Sequence, residues 1–158
     1  MRKIITIDQE KCTGCGVCEL ICSALKEKTF NKKLSRVRVV NLGDKIDFAL
    51  TCRFCENPRC VKFCPRKALT QGKNGQIIVD EKKCSGCGWC IEACNFGSIT
   101  MHPKKRVVFM CDQCDFNPEC VNLCPTHALQ FINVDSVAGK KRLSAVKTAL
   151  VMSENAKN

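Results

Sequence analysis

Residues 84–94 have the sequence CSGCGWCIEAC, in which two, two and three residues separate four cysteines. Residues 12–22, CTGCGVCELIC, have the same spacing. The eight residues that end at the first cysteine of each stretch are also alike, ITIDQEKC at 5–12 and IIVDEKKC at 77–84. This repeat indicates that the chain is an internal duplication.

Two further groups of four cysteines have a wider gap between the second and the third cysteine. Each of them continues as Cys-Pro-x-x-Ala-Leu, and together the four quartets contain all 16 cysteines of the 158-residue chain. In chain order the quartets are Cys12, Cys15, Cys18 and Cys22; Cys52, Cys55, Cys60 and Cys64; Cys84, Cys87, Cys90 and Cys94; and Cys111, Cys114, Cys120 and Cys124.

This spacing is typical of bacterial ferredoxins, in which three closely spaced thiolates hold three corners of a [4Fe-4S] cubane and the fourth reaches the neighbouring cluster. Gly14, Gly16, Gly86 and Gly88 allow the backbone to wrap closely around the sulfurs and to turn its amides towards them. The sequence therefore predicts that all sixteen cysteines are metal ligands and that the cofactors are four [4Fe-4S] clusters.

Zinc and disulfide bonds are the alternative uses of so many cysteines. Tetrahedral zinc usually takes two separated Cys-x-x-Cys knuckles and has no use for a third cysteine two residues further on. Eight disulfides would require an oxidising compartment. The apolar stretch after the basic residues 2–3 is too short for a signal peptide, and no run of residues approaches a membrane span. We therefore expect a cytoplasmic protein without direct membrane insertion.

The linkers predict which quartets pair. After Cys64 the chain has the order of a two-cluster ferredoxin: a short helix after the Cys-Pro, a turn, a strand and the next cysteine loop. Quartets two and three therefore form one module in the middle of the chain. The strand expected at residues 130–134 has no following strand, and residues 4–8 at the N-terminus supply one.

The predicted fold is accordingly α+β, with two nested bacterial-ferredoxin-like 2[4Fe-4S] modules, a β-hairpin insertion and a C-terminal helix. We assign residues 1–30 and 105–137 to a discontinuous outer module, 31–51 to the β-hairpin insertion, 52–104 to the inner module and 138–158 to the C-terminal helix and tail.

Exchange of the fourth ligand between paired clusters then predicts four cysteine sets. Set A is Cys12, Cys15, Cys18 and Cys124; set B is Cys22, Cys111, Cys114 and Cys120; set C is Cys52, Cys55, Cys60 and Cys94; set D is Cys64, Cys84, Cys87 and Cys90.

The formal net charge of +11 is balanced in large part by the expected cofactors. Four oxidised clusters with their thiolates contribute about −8, which leaves the loaded protein near +3. The sequence has no aromatic platform or recognition helix for RNA or DNA. It therefore favours no nucleic-acid partner, and basic runs such as 104–106 either steer an acidic partner or form a solvated surface.

Several single residues have open roles. The hairpin expected at 34–51 either covers the cluster interior or docks a larger subunit. Trp89 is expected to pack against a cluster and shield it from water. His127, placed in the helix after the Cys-Pro, and His102, placed in a loop, are not expected to be ligands. One face of the C-terminal helix, formed by Leu143, Val146, Ala149 and Leu150, packs on the protein itself or on a partner.

No nucleophile–base pair, nucleotide loop or spare metal site remains once the cysteines are assigned, so catalytic residues are not expected. Residues 4–135 resemble the four-cluster, ferredoxin-like electron-transfer subunits of complex molybdenum or tungsten oxidoreductases. The segments 11–15, 18–22, 30–31 and 35–39 look most like the subunits that accompany tungsten-containing aldehyde oxidoreductases. The resemblance implies a non-catalytic subunit beside a large tungsten or molybdenum pterin subunit, with a flavin or ferredoxin redox partner.

Two other functions stay open at this point. One is a free-standing polyferredoxin, or an electron-transfer subunit of a hydrogenase, formate dehydrogenase or carbon monoxide dehydrogenase. The other is a zinc-bearing structural or regulatory module.

Overall fold

The computed structural model describes residues 2–43, 46–139 and 142. Within them, short strands form four separate two-stranded antiparallel sheets, and short helices lie between the strands. This mixed content confirms the expected helix-and-strand class. The strands are β1 Lys3–Ile7, β2 Arg38–Leu42, β3 Ile46–Leu50, β4 Leu69–Gln71, β5 Ile77–Val79, β6 Ile99–Met101, β7 Val108–Met110 and β8 Leu129–Asn133. The helices are α1 Val17–Glu27, α2 Arg59–Lys62, α3 Trp89–Glu92 and α4 Glu119–Asn122, with 3₁₀ turns at Lys32–Leu34 and Gln113–Phe116.

Strand β1 pairs with β8, so the two ends of the described chain lie side by side. Ile5 stands opposite Phe131 in this pair and is fully buried. Beyond the last paired residues, the N–H of Asp8 donates to the carbonyl of Ala128 at 2.8 Å. The pair therefore places the first cysteine loop directly beside the Cys-Pro segment of the fourth quartet.

Strands β4 and β5 form an equivalent pair between the second and third quartets. The N–H of Asp80 donates to the carbonyl of Ala68 at 2.8 Å, which repeats the hydrogen bond between Asp8 and Ala128. Gly75 in the connecting turn has φ 87°, a backbone conformation that favours glycine. The two strand pairs thus link a Cys-Pro segment to a cysteine loop in the same way, although only one of them is a local hairpin.

The expected β-hairpin insertion is present as β2 and β3, but it begins later than predicted. Residue Leu34 lies in a 3₁₀ turn rather than in the strand. The side chain of Asn31 caps this turn by accepting a hydrogen bond from the N–H of Lys33 at 3.0 Å. This capping hydrogen bond stabilises the turn, so the strand begins only at Arg38.

The helix expected after each Cys-Pro is absent from residues 65–68, so that prediction was wrong. Helix α2 lies before Cys64 instead, and after this cysteine the chain turns tightly, with Lys67 at φ 49° donating its N–H to the Cys64 carbonyl at 3.1 Å. The N–H of Ala68 then points at the Cys64 sulfur at 3.3 Å. A helix would carry this N–H away from the sulfur, so a turn replaces it.

The core is a thin layer of aliphatic side chains and cysteines rather than a large apolar interior. Phe54 is the largest fully buried side chain, and its ring meets the edge of Phe116 at 6.3 Å between centroids. Strands of three to five residues in separate pairs provide little independent stability. At the C-terminal end residues 134–139 are helical, and the amphipathic face predicted from Leu143 onwards lies outside the described residues.

Candidate metal centres

Three cavities in the structure are each lined by four cysteines. They are similar in size, with about 330, 300 and 310 Å³ of empty space, part of it open to solvent. In every case three cysteines of one quartet meet the last cysteine of another. The three groups are Cys12, Cys15, Cys18 and Cys124 (set A); Cys22, Cys111, Cys114 and Cys120 (set B); and Cys64, Cys84, Cys87 and Cys90 (set D).

The four cysteines of set C also lie near one another. Burial, with smaller contributions from the charges of Cys60, Cys55 and Cys94, raises the pKa of the Cys52 thiol to about 12. Burial likewise raises the pKa of Cys60, and Cys94 is its strongest charged neighbour. Set C therefore has the same composition as the other three sets, with three cysteines of one quartet and the last of another.

Neighbouring sets are joined by pairs of interacting thiols. In each pair burial is the larger cause of a raised pKa, and the charge of the second sulfur adds to it. The pairs are Cys18 of set A with Cys120 of set B, Cys52 of set C with Cys111 of set B, and Cys60 of set C with Cys90 of set D. The sets consequently follow one another in the order A, B, C, D.

The raised pKa values have a direct chemical meaning. Burial raises the pKa of Cys18 and of Cys120 to about 12, and that of Cys90 to about 11. Such thiols stay protonated at neutral pH unless a cation takes the place of the proton. Four sulfurs around a cavity rather than a point suit a cluster whose iron atoms stand at separate corners.

Backbone amides point at several sulfurs. The N–H groups of Arg36, Ala68 and Gln113 donate to the sulfurs of Cys22, Cys64 and Cys111 at 3.2, 3.3 and 3.4 Å. Hydrogen bonds of this kind are one of the factors that set the potential of an iron–sulfur cluster.

Cys124 differs from the other affected thiols. Burial raises its pKa, but hydrogen bonds from the backbone of Leu129, from Thr126 and from the backbone of Ala128 outweigh burial and hold the pKa below its usual range. Set A thus contains one sulfur whose thiolate form is favoured by hydrogen bonds from the chain itself.

Glycines shape the two tightly spaced cysteine loops as predicted. Gly16 and Gly88 precede α1 and α3 with φ of 71° and 83°. At Gly86, with φ 68°, an added Cβ would stand 2.4 Å from the carbonyl oxygen of Arg106. The loop therefore needs glycine at position 86 both for its conformation and for the close approach of a neighbouring backbone.

A group of charged side chains that the sequence analysis missed supports set B. Asp112 accepts hydrogen bonds from Lys26 and Arg36, each at 2.8 Å, and from the N–H of Cys114 at 3.0 Å. Burial opposes ionisation of Asp112, but the Lys26 hydrogen bond and the other partners lower its pKa on balance. These bonds tie α1 and the following 3₁₀ turn region to the loop of the fourth quartet.

The hairpin covers set A. Val39 and Ala49 line the same cavity as the set A cysteines. The N–H of Val39 donates at 3.1 Å to Glu19, a buried carboxylate that Lys32 approaches to 3.6 Å. Of the two roles open for the hairpin, the structure therefore shows the covering one.

Three residues singled out in the sequence have distinct surroundings. The Trp89 side chain is 62% exposed, so its expected role as a shield is wrong for the chain as described. His102 lies in the loop after β6 but is buried, and its Nδ1 accepts the N–H groups of Lys104 and Lys105 at 3.1 and 3.0 Å. His127, at φ 52°, lies in the turn after Cys-Pro instead of in a helix.

Two general features concern the described residues only. Among residues 2–43, 46–139 and 142, no three His, Cys, Asp or Glu side chains converge on the position of a single metal ion. In the same part of the chain, none of the helices is both long and apolar enough to span a bilayer.

The chain is similar to known iron–sulfur proteins. Residues 45–134 match the family model of the 4Fe-4S dicluster domain, and residues 4–25 match that of a 4Fe-4S binding domain. The chain is 40% identical over 122 residues to the polyferredoxin-like subunit of aliphatic sulfonate oxidoreductase from Pyrococcus furiosus, covering 76% of this chain and 70% of that protein. It is 33% identical over 144 residues to the thiosulfate reductase electron transfer subunit PhsB of Salmonella typhi, with coverage of 81% and 74%.

A solved structure with a similar chain is the active site complex BamBC of benzoyl coenzyme A reductase as isolated. The match has a TM-score of 0.50 and 25% identity, and it covers 99% of this chain and 97% of that one. The two family matches and the 16 cysteines fit four [4Fe-4S] clusters. Because the dicluster match spans more than half of the chain, the protein belongs to the 4Fe-4S dicluster domain family, as a non-catalytic iron–sulfur electron-transfer subunit of an oxidoreductase complex.

Proposed function

We propose that this chain conducts electrons along sets A, B, C and D, between a large tungsten or molybdenum pterin subunit of the aldehyde oxidoreductase type and a second redox partner. The observation that carries the proposal is the grouping of the cysteines into sets, three of them around cavities, with thiols of neighbouring sets near enough to raise the pKa of Cys120, Cys111 and Cys90. A [4Fe-4S] cluster supplies one-electron transfer with little rearrangement. The cysteines would hold the four clusters, and the surrounding protein would separate them from solvent.

The four sets are the ligand sets of this proposal, and the nested modules follow from them. Sets A and B belong to the outer module, residues 1–30 and 105–137, and sets C and D to the inner module, residues 52–104. The matching hydrogen bonds at Asp8 and Asp80 support this division, because each closes a strand pair that links two cysteine groups of one module.

The hairpin end is the proposed site of the catalytic subunit. Val40 is 37% exposed and Leu42 is 63% exposed, and both lie on the hairpin that covers set A. Permanent subunit interfaces are more apolar than transient ones. An exposed apolar hairpin beside the first set therefore supports a lasting contact at this end of the line.

The enzyme class is proposed from the resemblance in segments 11–15, 18–22, 30–31 and 35–39. The names of the relatives broaden the choice to oxidoreductases that act on sulfonate or thiosulfate. The high content of unpaired cysteines supports a reducing compartment such as the cytoplasm. A flavin or ferredoxin protein is the proposed partner at the other end.

A free-standing polyferredoxin is the second candidate. The polyferredoxin-like name of the Pyrococcus furiosus relative favours it, although that protein is described as a subunit. The two functions differ in whether a large subunit accompanies the chain.

Anaerobic purification from the native host tests the proposal. Iron, sulfide, zinc, molybdenum and tungsten are quantified, and co-eluting chains are identified by mass. We expect about sixteen iron atoms per chain, with tungsten or molybdenum on a large co-eluting subunit. The same iron in a chain that elutes alone would replace the proposal by the polyferredoxin, and zinc in place of iron would overturn both.

A further inference from the structure

A patch of cationic and aromatic side chains lies on the inner module. The guanidinium of Arg53 stacks over the ring of Phe96 at 5.4 Å, and that of Arg59 stacks over Phe63 at 5.7 Å. Arg59 also donates to the side-chain oxygen of Asn95 at 3.2 Å, and Asn95 precedes Phe96. These five residues therefore form one continuous surface, which we name the basic–aromatic patch.

The patch is open to solvent and its charges are not neutralised. Phe63 is 49% exposed and Phe96 is 43% exposed. In the part of the chain that the structure describes, Arg53, Arg59 and the nearby exposed Lys62 of α2 have no carboxylate within ion-pair distance. Exposed aromatic rings held by unpaired guanidinium groups are typical of a surface that binds an acidic partner.

The patch also lies directly beside proposed cluster ligands. Arg53, Arg59 and Asn95 are each adjacent in sequence to a cysteine of set C. Phe63 is adjacent to Cys64 of set D. A partner bound here would stand next to the two sets of the inner module.

The repeated segment in the outer module has no such patch. The positions equivalent to Arg53, Arg59 and Lys62 hold Asp112, Glu119 and Asn122. Cluster binding therefore does not require the cationic residues, since the outer segment presents its cysteines without them.

We propose that the basic–aromatic patch docks a small acidic protein that carries one electron, a proposal that rests on the proposed function of the chain. In each transfer the carrier is oxidised by one electron and the inner module is reduced by one electron, or the reverse, with no bond made or broken. Charge complementarity favours rapid and reversible association, which suits a carrier better than a permanent subunit.

The test uses the loaded full-length chain and an acidic bacterial 2[4Fe-4S] ferredoxin as the probe. Binding is measured with both proteins oxidised, at low and at moderate salt, so that the result does not depend on electron transfer. Stopped-flow mixing with the reduced ferredoxin then gives the second-order rate of transfer. The double variant Arg59→Glu with Lys62→Glu is compared with Lys82→Glu and Lys104→Glu, which change the net charge equally at exposed lysines in turns outside the patch.

We expect the patch variant to weaken binding and slow transfer by roughly tenfold or more at low salt, and the control to change both by less than about twofold. Arg59→Gln with Lys62→Gln removes the charges without reversing them and should give an intermediate loss. If a charge-reversal chain fails to load iron, this milder pair decides the result.

Other outcomes would overturn the docking proposal. Equal losses in patch and control variants would mean that only net charge matters, and unchanged rates in all variants would place the carrier elsewhere. Equally tight binding of a short single-stranded DNA at the patch would favour a nucleic-acid ligand. Reduction of all four clusters by dithionite in every variant would leave the electron-transfer function intact, so failure of the docking site is distinguishable from failure of that function.

Discussion

Residues 52–69 and 111–129 are two copies of one cluster-binding segment, and they differ mainly in charge. Both contain a cysteine loop, a four-residue helix and a Cys-Pro turn that ends at Ala-Leu. The first copy has five basic side chains and one acidic one, whereas the second has three acidic side chains and no Lys or Arg. The basic residues are Arg53, Arg59, Lys62, Arg66 and Lys67, and the acidic residues of the second copy are Asp112, Asp115 and Glu119.

The difference follows from what each copy faces. Asp112 lies against α1 and is neutralised by Lys26 and Arg36. Arg53, at the equivalent position, stacks on Phe96 at the surface. The sulfur positions and the turn are thus common to both copies, while the residues between the cysteines adapt one copy to internal packing and the other to solvent.

The largest expected effect comes from removing a sulfur at the same position in both copies. Cys111→Ser and Cys52→Ser should each remove one cluster, about a quarter of the iron, because each deletes a buried ligand of one set. Dithionite titration should then show about three electrons accepted per chain in place of about four. Iron analysis and the titration measure the result, with the buried Met110→Leu beside Cys111 as the control that keeps every sulfur.

If the two copies bind clusters equally, both serine variants lose the same amount of iron. Loss of all iron in one variant and of a quarter in the other would show that the two copies do not bind their clusters equally.

Neutralising Asp112 should lower stability more than the matched change in the first copy. Asp112→Asn removes the charge that Lys26 and Arg36 share, and we expect a loss of about 2 kcal/mol, because two partly buried cations lose their counter-charge. The thermal midpoint at a fixed scan rate should fall by about 4–8 °C. Arg53→Gln, the matched change in the other copy, should cost less than about 0.5 kcal/mol because no ion pair is lost. Equal shifts in both variants would contradict the assigned difference.

The smallest expected effect is a difference in acid sensitivity between sets B and A. In set B burial raises the pKa of three thiols, Cys111, Cys114 and Cys120. In set A burial raises the pKa of Cys18, but the pKa of Cys124 lies below its usual range. A thiol with a raised pKa holds its proton more strongly at any pH below that value, so protons displace iron from set B at a higher pH than from set A. Iron release to a chelator, followed as the pH is lowered, should show set B leaving first.

The Cys111→Ser variant shows which set releases its iron first. Cys111→Ser should lack the step of iron release that occurs at the highest pH, and Cys84→Ser, in set D, should retain it. Retention of that step in the Cys111 variant would show that it belongs to another set.

Much of this arrangement was predictable because cysteine spacing is a local signal. The glycines at 86 and 88 and the pairing of the first strand with the last followed from repeats and linkers, and the sixteen proposed ligand positions rest on the same spacing. The turn after Cys-Pro was mistaken for a helix, since Lys67 and His127 carry no mark of a left-handed conformation. That conformation is set by the N–H group that must reach the sulfur.

The charged group around Asp112 was not predictable from spacing, since Lys26, Arg36 and Asp112 are far apart in sequence. The sequence signal for this charged group lies in the comparison of the two copies, because Asp112 occupies the position equivalent to Arg53. The exposure of Trp89 was missed for a related reason. An aromatic residue between ligands looks like a shield when only its sequence neighbours are considered.

The pairing of β1 with β8 has a consequence for how the protein is made. The ribosome releases residues 3–7 long before residues 129–133, so the first strand waits for its partner until residues 129–133 have been synthesised. The local pair β4 and β5 is complete much earlier. The strand pair of the inner module is therefore complete before that of the outer module, and we expect the inner module to be ready for its clusters first.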